Sequence, residues 1–131
     1  MATTNSLLLG KHIYKILSES EAISGYVGNK IFPIVVESGT KYPFIVFTRS
    51  SIDTSFSKDG IIKDIVKVEI NCVTATYLDG CIIANEVRNL LDCSTYKTEE
   101  LFISQIRLSN VVEAYQDDAY IQTLTFDFHI K

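Results

Sequence analysis

Apolar positions early in the chain and again after residue 76 recur at helical spacing. Between residues 5 and 20 they follow possible N-terminal caps and predict an amphipathic helix, with Leu9, Ile13, Ile16 and Leu17 on one face. A second helix is predicted over roughly 77–92, where Thr76 is a candidate N-cap. The Ser/Gly-rich residues 18–28 predict the turn that ends the first helix.

The remaining apolar segments have the composition or the period of strands. Segment 31–36 contains Pro33, which lacks a backbone donor, so it should be a sheet edge or a strand entry and not a central strand. The β-branched and aromatic run 43–48 predicts a strand buried on both faces. Residues 63–72 alternate with a period of two and should pair with the preceding strand, over 43–50. The last third predicts a second hairpin of strands 102–108 and 120–130, with a polar turn at 116–118.

Residues 50–60 are polar and predict a loop longer than the usual hairpin turn, which makes them a candidate functional loop. Phe56 stands in the middle of this segment, where an aromatic side chain has no local role. It should dock either on a partner or back on its own domain. The candidate interface residues of the loop are Asp53, Phe56, Lys58 and Asp59.

The element order is therefore α, short β, β-hairpin, α, β-hairpin. Strands that arrive as hairpins favour an antiparallel sheet with helices on one face. We expect a single α+β domain over 1–131, with a mainly antiparallel sheet of four to five strands and two helices packed on one face. The other sheet face should stay uncovered.

Composition and charge narrow the possible functions. A hydrophobic content of 47% with 21% charged residues is enough for a compact core. Twelve Lys+Arg against 16 Asp+Glu give a net charge of −4, which disfavours sequence-independent binding of nucleic acid through a basic face. Apolar runs are too short to span a bilayer, and the N-terminus lacks a secretory pattern, so we expect a cytoplasmic protein without membrane contact.

We find no signature of catalysis, and we expect neither an enzyme nor a cofactor nor a metal site. His129 and Asp127 share one face of a strand and are the only candidate for a base with its orienting carboxylate, although such residues are common on a wet strand face. The acidic pairs at 99–100 and 117–118 lack the spacing of a cation site. Three cysteines, Cys72, Cys81 and Cys93, are predicted to be small buried apolar residues without a disulfide.

The seven tyrosines mostly border predicted elements. Tyrosine is favoured at interfaces because it combines a large apolar body with a polar tip. Tyrosines at element ends also simply cover the edges of a core, and both interpretations stay open. The candidate interface aromatics are Tyr26, Tyr42, Tyr115 and Tyr120.

Four segments, in order, carry a family resemblance. Residues 23–33 combine glycine, a basic residue, isoleucine, an aromatic residue and proline, and 41–47 form a proline-aromatic-apolar strand. Residues 68–77 are a strand that runs into a Thr-Tyr helix start, and 121–130 are an alternating closing strand. Together these segments resemble the bacteriophage tail-completion family, which includes tail terminator and tail-to-head joining proteins. The 50–60 segment and the cysteines depart from that pattern.

The resemblance implies an α+β fold that assembles as a ring, usually a hexamer, on the end of the tail tube. The implied partners are further copies of the chain, the tail tube protein and a head–tail connector or neck protein, in the host cytoplasm during assembly and then in the tail-neck region of the virion. A closed head-to-tail ring would also cover free sheet edges without forming fibres. An acidic ring would let DNA pass without sticking.

Two other functions stay open. A monomeric adaptor or inhibitor would bind one protein partner by sheet-edge pairing. A ligand-binding or catalytic domain would use the uncovered sheet face, with His129 and Asp127 as its only support.

Overall fold

The computed structural model describes residues 4–56, 60 and 62–131. A 3-10 turn at Ser6–Leu8 leads into helix α1, Leu9–Glu19, which is followed by the short helix α2, Glu21–Val27. Helix α3 spans Tyr77–Leu91. The strands are β1 (Ile31–Pro33), β2 (Phe44–Phe56), β3 (Ile62–Thr74), β4 (Tyr96–Lys97), β5 (Phe102–Gln116) and β6 (Ala119–Ile130).

The strands form one six-stranded sheet in the order β1-β2-β3-β6-β5-β4. The pairs β2–β3, β3–β6, β6–β5 and β5–β4 are antiparallel, whereas β1 is parallel to β2. The two hairpins lie side by side and extend toward opposite ends of the sheet, because the start of β3 is level with the end of β6. The α+β class is confirmed, but the sheet is mixed and has six strands instead of the predicted four to five antiparallel ones, and three helices are present instead of two.

The core lies between the helices and one face of the sheet. Every second residue of β3 and β6 is buried, and these residues form one cluster with the apolar faces of all three helices. Phe126 and Phe128 are the largest of the fully buried side chains, and their ring centroids are 6.4 Å apart. The residues of β3 and β6 that lie between the buried ones point to the other face of the sheet, which is more accessible to solvent.

The predicted turn at 18–28 is wrong because this segment contains helix α2. The Ser20 hydroxyl accepts a hydrogen bond from the Ile23 backbone N–H and caps the helix. Ile23 and Val27, one helical turn apart, are fully buried. Burial of these two side chains offsets the helix-weakening effect of Gly25, which lies inside α2.

The predicted long loop at 50–60 is wrong over 50–56, since β2 continues to Phe56 and pairs with β3, with Phe56 opposite Ile62. Its polar composition misled the sequence prediction because this end of β2 is largely exposed on both faces. A register shift between Arg49 and Ser51 further breaks the period-two pattern. Lys58 and Asp59 lie outside the described residues.

Strand β1 lies at the sheet edge, as Pro33 predicted, but it ends at Pro33 instead of residue 36. Ile34 has φ = 67° and turns the chain away from β2. The strand that begins at Phe44 is buried on one face only, through Ile45 and Phe47, because the other face of the sheet stays uncovered.

The remaining differences are at the far edge of the sheet. Strand β4 is too short to leave a periodic signal in the sequence. Of the three cysteines, which are all free, Cys72 is buried as predicted, whereas Cys81 is half-buried and Cys93 is exposed.

Candidate interaction surfaces

The turn between β5 and β6 organises one end of the sheet. Asp117 and Asp118 form a two-residue connection between the paired residues Gln116 and Ala119, with φ values of 52° and 61°. Two successive left-handed residues match the right-handed twist of a hairpin, and aspartate tolerates that conformation better than most residues. The turn therefore projects two carboxylates from the end of the sheet.

Helix α3 places a further tyrosine beside this hairpin. The Thr76 hydroxyl caps the helix by accepting from the Asp79 backbone N–H. Gly80 lets the helix approach the sheet closely, since a Cβ there would lie 3.0 Å from the Thr74 Oγ1. Tyr77, at the first position of α3, consequently packs edge-on against Tyr120 with 5.9 Å between ring centroids.

Four tyrosines surround the turn and form, with Glu113 and Gln122, what we call the tyrosine end: Tyr42, Tyr77, Tyr115 and Tyr120. Tyr115 and Tyr120 pack across the two strands, with ring centroids 4.9 Å apart. The Tyr42 hydroxyl donates to the Asp117 carbonyl oxygen at 3.3 Å. The segment that leads into β2 is thereby joined to the β5–β6 turn.

Glu113 is the polar centre of the tyrosine end. Its Oε2 accepts hydrogen bonds from the Tyr77 hydroxyl at 2.8 Å and from the Gln122 Nε2 at 3.0 Å. These bonds, from Gln122 and then Tyr77, hold the Glu113 pKa below its ordinary value. The same carboxylate, together with a smaller contribution from Cys81, raises the pKa of Tyr77 to about 12. The Asp118 charge raises the pKa of Tyr115.

The structure brings together three of the four predicted interface aromatics, Tyr42, Tyr115 and Tyr120. Tyr26 lies apart from them, half-exposed on α2. Tyr77 belongs to the cluster but was not among the candidates. Its position directly after a helix N-cap is a signal in the sequence, but its contact with β6 depends on the tertiary packing of α3.

Asp53 and Phe56 lie in the part of β2 that extends toward the opposite end of the sheet. Asp53 is exposed and pairs in register with Ile65, while Phe56 pairs with Ile62 and is 72% exposed. The Phe56 ring therefore does not fold back into its own core.

A buried carboxylate fastens the N-terminal segment to this hairpin. Asp64 is 6% exposed and accepts hydrogen bonds from the hydroxyls of Thr4 (2.5 Å), Ser6 (2.6 Å) and Thr54 (2.6 Å). Burial alone would raise the Asp64 pKa, but the three hydroxyl bonds outweigh burial and lower the pKa.

An apolar cavity of about 230 Å³ lies beside the middle of β2, between the start of α1 and the end of β1. Leu7 and Ile34 line the cavity and are themselves mostly exposed, and so is the neighbouring Val35. Arg49 lies at the rim of the cavity and makes no ion pair with any residue that the structure describes.

Two polar clusters join structural elements. His12 is buried and lies with its Nδ1 3.1 Å from the Tyr96 hydroxyl and its Nε2 2.7 Å from Glu100 Oε1, which ties α1 to β4 and the loop after it. Asp127 forms an ion pair with Lys67, with Nζ and Oδ1 3.1 Å apart. The described contacts include no hydrogen bond between Asp127 and His129.

Within the ranges that the structure describes, no group of His, Cys, Asp and Glu side chains is arranged to hold a metal ion. Over the same ranges, none of the helices is long and apolar enough to cross a membrane.

Comparison with solved structures shows that the fold of this chain occurs in another protein. No family model matches the chain, and no curated protein matches it. Among solved structures, the chain is similar to one described as "Virion of native gene transfer agent (GTA) particle", with a TM-score of 0.75 and 13% sequence identity. The similarity covers 90% of this chain and 90% of that chain. The two chains share a fold over nearly their whole length.

Proposed function

We propose that this chain is a structural protein of a phage, a prophage or a phage-like particle, and that its copies form a ring that caps the tail tube. The likeness of its fold, over 90% of the chain, to a chain of the gene transfer agent virion is the observation that carries this proposal. In this proposal the ring is a hexamer that ends tube polymerisation and joins the tube to the head-proximal neck.

The proposal assigns partners and places. Besides its own copies, the chain contacts the tail tube protein on one side and a head–tail connector or neck protein on the other. It assembles in the host cytoplasm and ends in the tail-neck region of the virion. The tyrosine end supports such contacts because exposed tyrosines supply much of the binding energy of protein interfaces.

The charge of the chain fits a ring through which DNA passes. The net charge of the chain is −4. A basic lumen would bind the phosphates of a duplex by releasing counterions, whereas an acidic lumen repels them. DNA is therefore a passing polymer in this proposal and not a bound ligand.

We further propose that the role is structural and not catalytic. The polar groups of the tyrosine end already bond to one another, and the His12 cluster holds α1 against β4. The His129→Ala variant tests the alternative of a catalytic sheet face, and it should cap tubes as well as the unaltered chain. Loss of capping by this variant, with its fold intact, would favour a site at His129.

The ring is tested by measuring the mass of the purified full chain by light scattering during gel filtration, with and without tail tube protein. We expect a mass several times the 14.7 kDa of one chain, and we expect rings in negative-stain images. Added chain should also shorten tubes that polymerise from purified tube protein. A strictly monomeric chain that leaves tube length unchanged would contradict the proposal.

A second candidate, a monomeric adaptor that binds one protein by sheet-edge pairing, is favoured by the exposed end of β2. The same light-scattering measurement separates the two functions. A one-to-one complex with a single partner, without self-association, would support the adaptor.

A further inference from the structure

Two strands of the sheet have open outer edges. Strand β1 pairs with β2 over Ile45–Phe47 only, and β4 pairs with β5 over Phe102–Ile103 only. Among the described residues, no strand pairs with the outer side of 48–56 in β2 or of 109–116 in β5. We call these segments the open edge of β2 and the open edge of β5. Open edges expose unpaired backbone donors and acceptors, which favour addition of another strand.

The backbone itself keeps the edge of β2 open. Ile34 still donates its backbone N–H to the Phe47 carbonyl oxygen at 2.8 Å, but its φ of 67° directs the chain away from β2. A left-handed conformation is costly for a β-branched residue. The edge therefore opens at a strained position, next to the exposed Ile34 and Val35 side chains.

We propose that the open edge of β2 pairs with the open edge of β5 of a second copy of this chain. Successive antiparallel pairings make β2 and β5 run in opposite directions within one copy. A second copy laid alongside in the same orientation therefore presents its β5 antiparallel to β2, and its helices cover the same face. This pairing would be the contact between neighbouring copies in the proposed ring. The number of copies rests on the proposed function.

The register of this pairing follows from the space beside β2. Strand β1 and Ile34 already occupy the positions next to Ile45–Phe47, so the β5–β6 turn of the second copy must stop below them. The nearest register that keeps the Asp117–Asp118 turn clear of them has Gln116 of one copy opposite Ser51 of the other. Ile52 then lies opposite Tyr115, and Phe56 lies opposite Val111. Ile52, Tyr115, Phe56 and Val111 all lie on the helix-covered side of the sheet. Each is paired in register with a residue of β3 or β6 whose side chain lies on that side.

The side chains that meet in this register are chemically complementary. Ile52 and Phe56 gain aromatic and apolar neighbours in Tyr115 and Val111, which are 60% and 44% exposed in the single chain. Arg49, which lacks an ion-pair partner among the described residues, comes beside the Asp117–Asp118 turn. Cross-strand apolar pairs and opposite charges are the contacts that specify strand pairing. The occupant of each edge is therefore another copy of the same chain.

Cysteine cross-linking tests the pairing. In a background with Cys81→Ser and Cys93→Ser, one variant carries Ile52→Cys and a second carries Tyr115→Cys. These positions lie on strands at opposite sides of the β3–β6 pair, so a disulfide between them must join two copies. A mixture of the two variants should give cross-linked dimers on non-reducing gels, whereas each variant alone should give none. The doubly substituted chain should give a ladder of cross-linked species.

A matched control replaces Tyr115→Cys by Tyr26→Cys, an exposed tyrosine on α2, and its mixture with Ile52→Cys should remain uncross-linked. Dimers within either single variant would overturn the proposal in favour of a symmetric interface. Rings that form without the 52–115 cross-link would overturn the edge pairing and leave the proposed function standing. Absence of both rings and tube capping would instead contradict the proposed function.

A charge reversal gives an independent readout. Arg49→Glu, at an exposed position, should leave the circular-dichroism spectrum unchanged and weaken self-association by at least about tenfold, as expected for like charges across an interface. Lys15→Glu, at an exposed position on α1, is the control and should associate like the unaltered chain. Unchanged association of Arg49→Glu would overturn the assigned register.

Discussion

The two hairpins of the sheet are fastened in opposite ways. The β2–β3 hairpin is tied by Asp64, a buried carboxylate whose partners are three hydroxyl groups of the same chain. The β5–β6 hairpin carries its polar network at the tyrosine end, where Tyr77 and Glu113 are exposed and only Gln122 is buried. The first arrangement stabilises the fold, whereas the second presents aromatic rings and charge to a partner. The two networks should therefore respond differently to substitution.

The largest loss of stability is expected for a core residue that contacts both hairpins. Phe128 of β6 is fully buried and lies in register with Val66 of β3 and Ile106 of β5. Phe128→Ala should lower the free energy of unfolding by about 3–5 kcal/mol, because it removes a large side chain and leaves a cavity. Urea denaturation measures this loss. Leu78→Ala, at an exposed position of α3 outside the proposed pairing, is the control and should change stability by less than about 0.5 kcal/mol. A loss for Phe128→Ala no larger than that of the control would show that the Phe128 ring is not packed in the core.

A smaller effect is expected at the carboxylate that fastens the β2–β3 hairpin. Asp64→Asn replaces a charged acceptor of three hydroxyl bonds by an amide and should cost about 1–3 kcal/mol. Because the pKa of Asp64 is lowered in the folded chain, its contribution is complete above its ordinary pKa and disappears as the pH falls through the lowered value. Stability measured between neutral and acidic pH should therefore fall less steeply in the variant. Asp53→Asn, on the exposed face of β2, should follow the unaltered chain, and an identical acid profile for Asp64→Asn would refute the assignment.

The smallest effect is expected at the tyrosine end, and it concerns ionisation more than stability. Glu113→Gln should lower the pKa of Tyr77 from about 12 toward its ordinary value, since the hydrogen bond from Tyr77 to the carboxylate is the largest cause of the shift. Nuclear magnetic resonance of tyrosines labelled at Cζ measures each titration. Asp118→Asn should lower the pKa of Tyr115 and leave Tyr77 unchanged. If Glu113→Gln leaves the Tyr77 titration where it was, the carboxylate does not hold that hydroxyl in solution.

Strong periodicity is what made much of the fold predictable. The alternation along 63–72 and 120–130 located β3 and β6, whose buried residues face helices, and the Thr76 cap located the start of α3. Helix α2 was missed because Ser20 and Gly25 resemble a turn, and only the burial of Ile23 and Val27 against other elements makes the segment helical. The outer half of β2 was missed because an exposed strand end has no apolar face to produce a pattern.

The tyrosine end was partly predictable for a related reason. Tyr42, Tyr115 and Tyr120 border their elements in the sequence, and hairpin pairing alone brings Tyr115 opposite Tyr120. The Asp64 site had no sequence signal, because its hydroxyl partners Thr4 and Ser6 lie about sixty residues away. Contacts of that kind depend on where the N-terminal segment crosses the sheet. No local pattern encodes that crossing.

The placement of the two open edges at opposite ends of the sheet sets the geometry of any assembly built from them. Ile52 is level with Phe128 of β6, and Tyr115 is level with Tyr120, eight residues away along the same strand. Each added copy is therefore displaced by about 27 Å along the strand direction. Its displacement across the strands is about 19 Å, which is the width of four strands. Copies stacked with upright strands would climb as a helix. A flat closed ring requires strands that are tilted by about 55° from the ring axis. This tilt is larger than that of the strands in ordinary barrels.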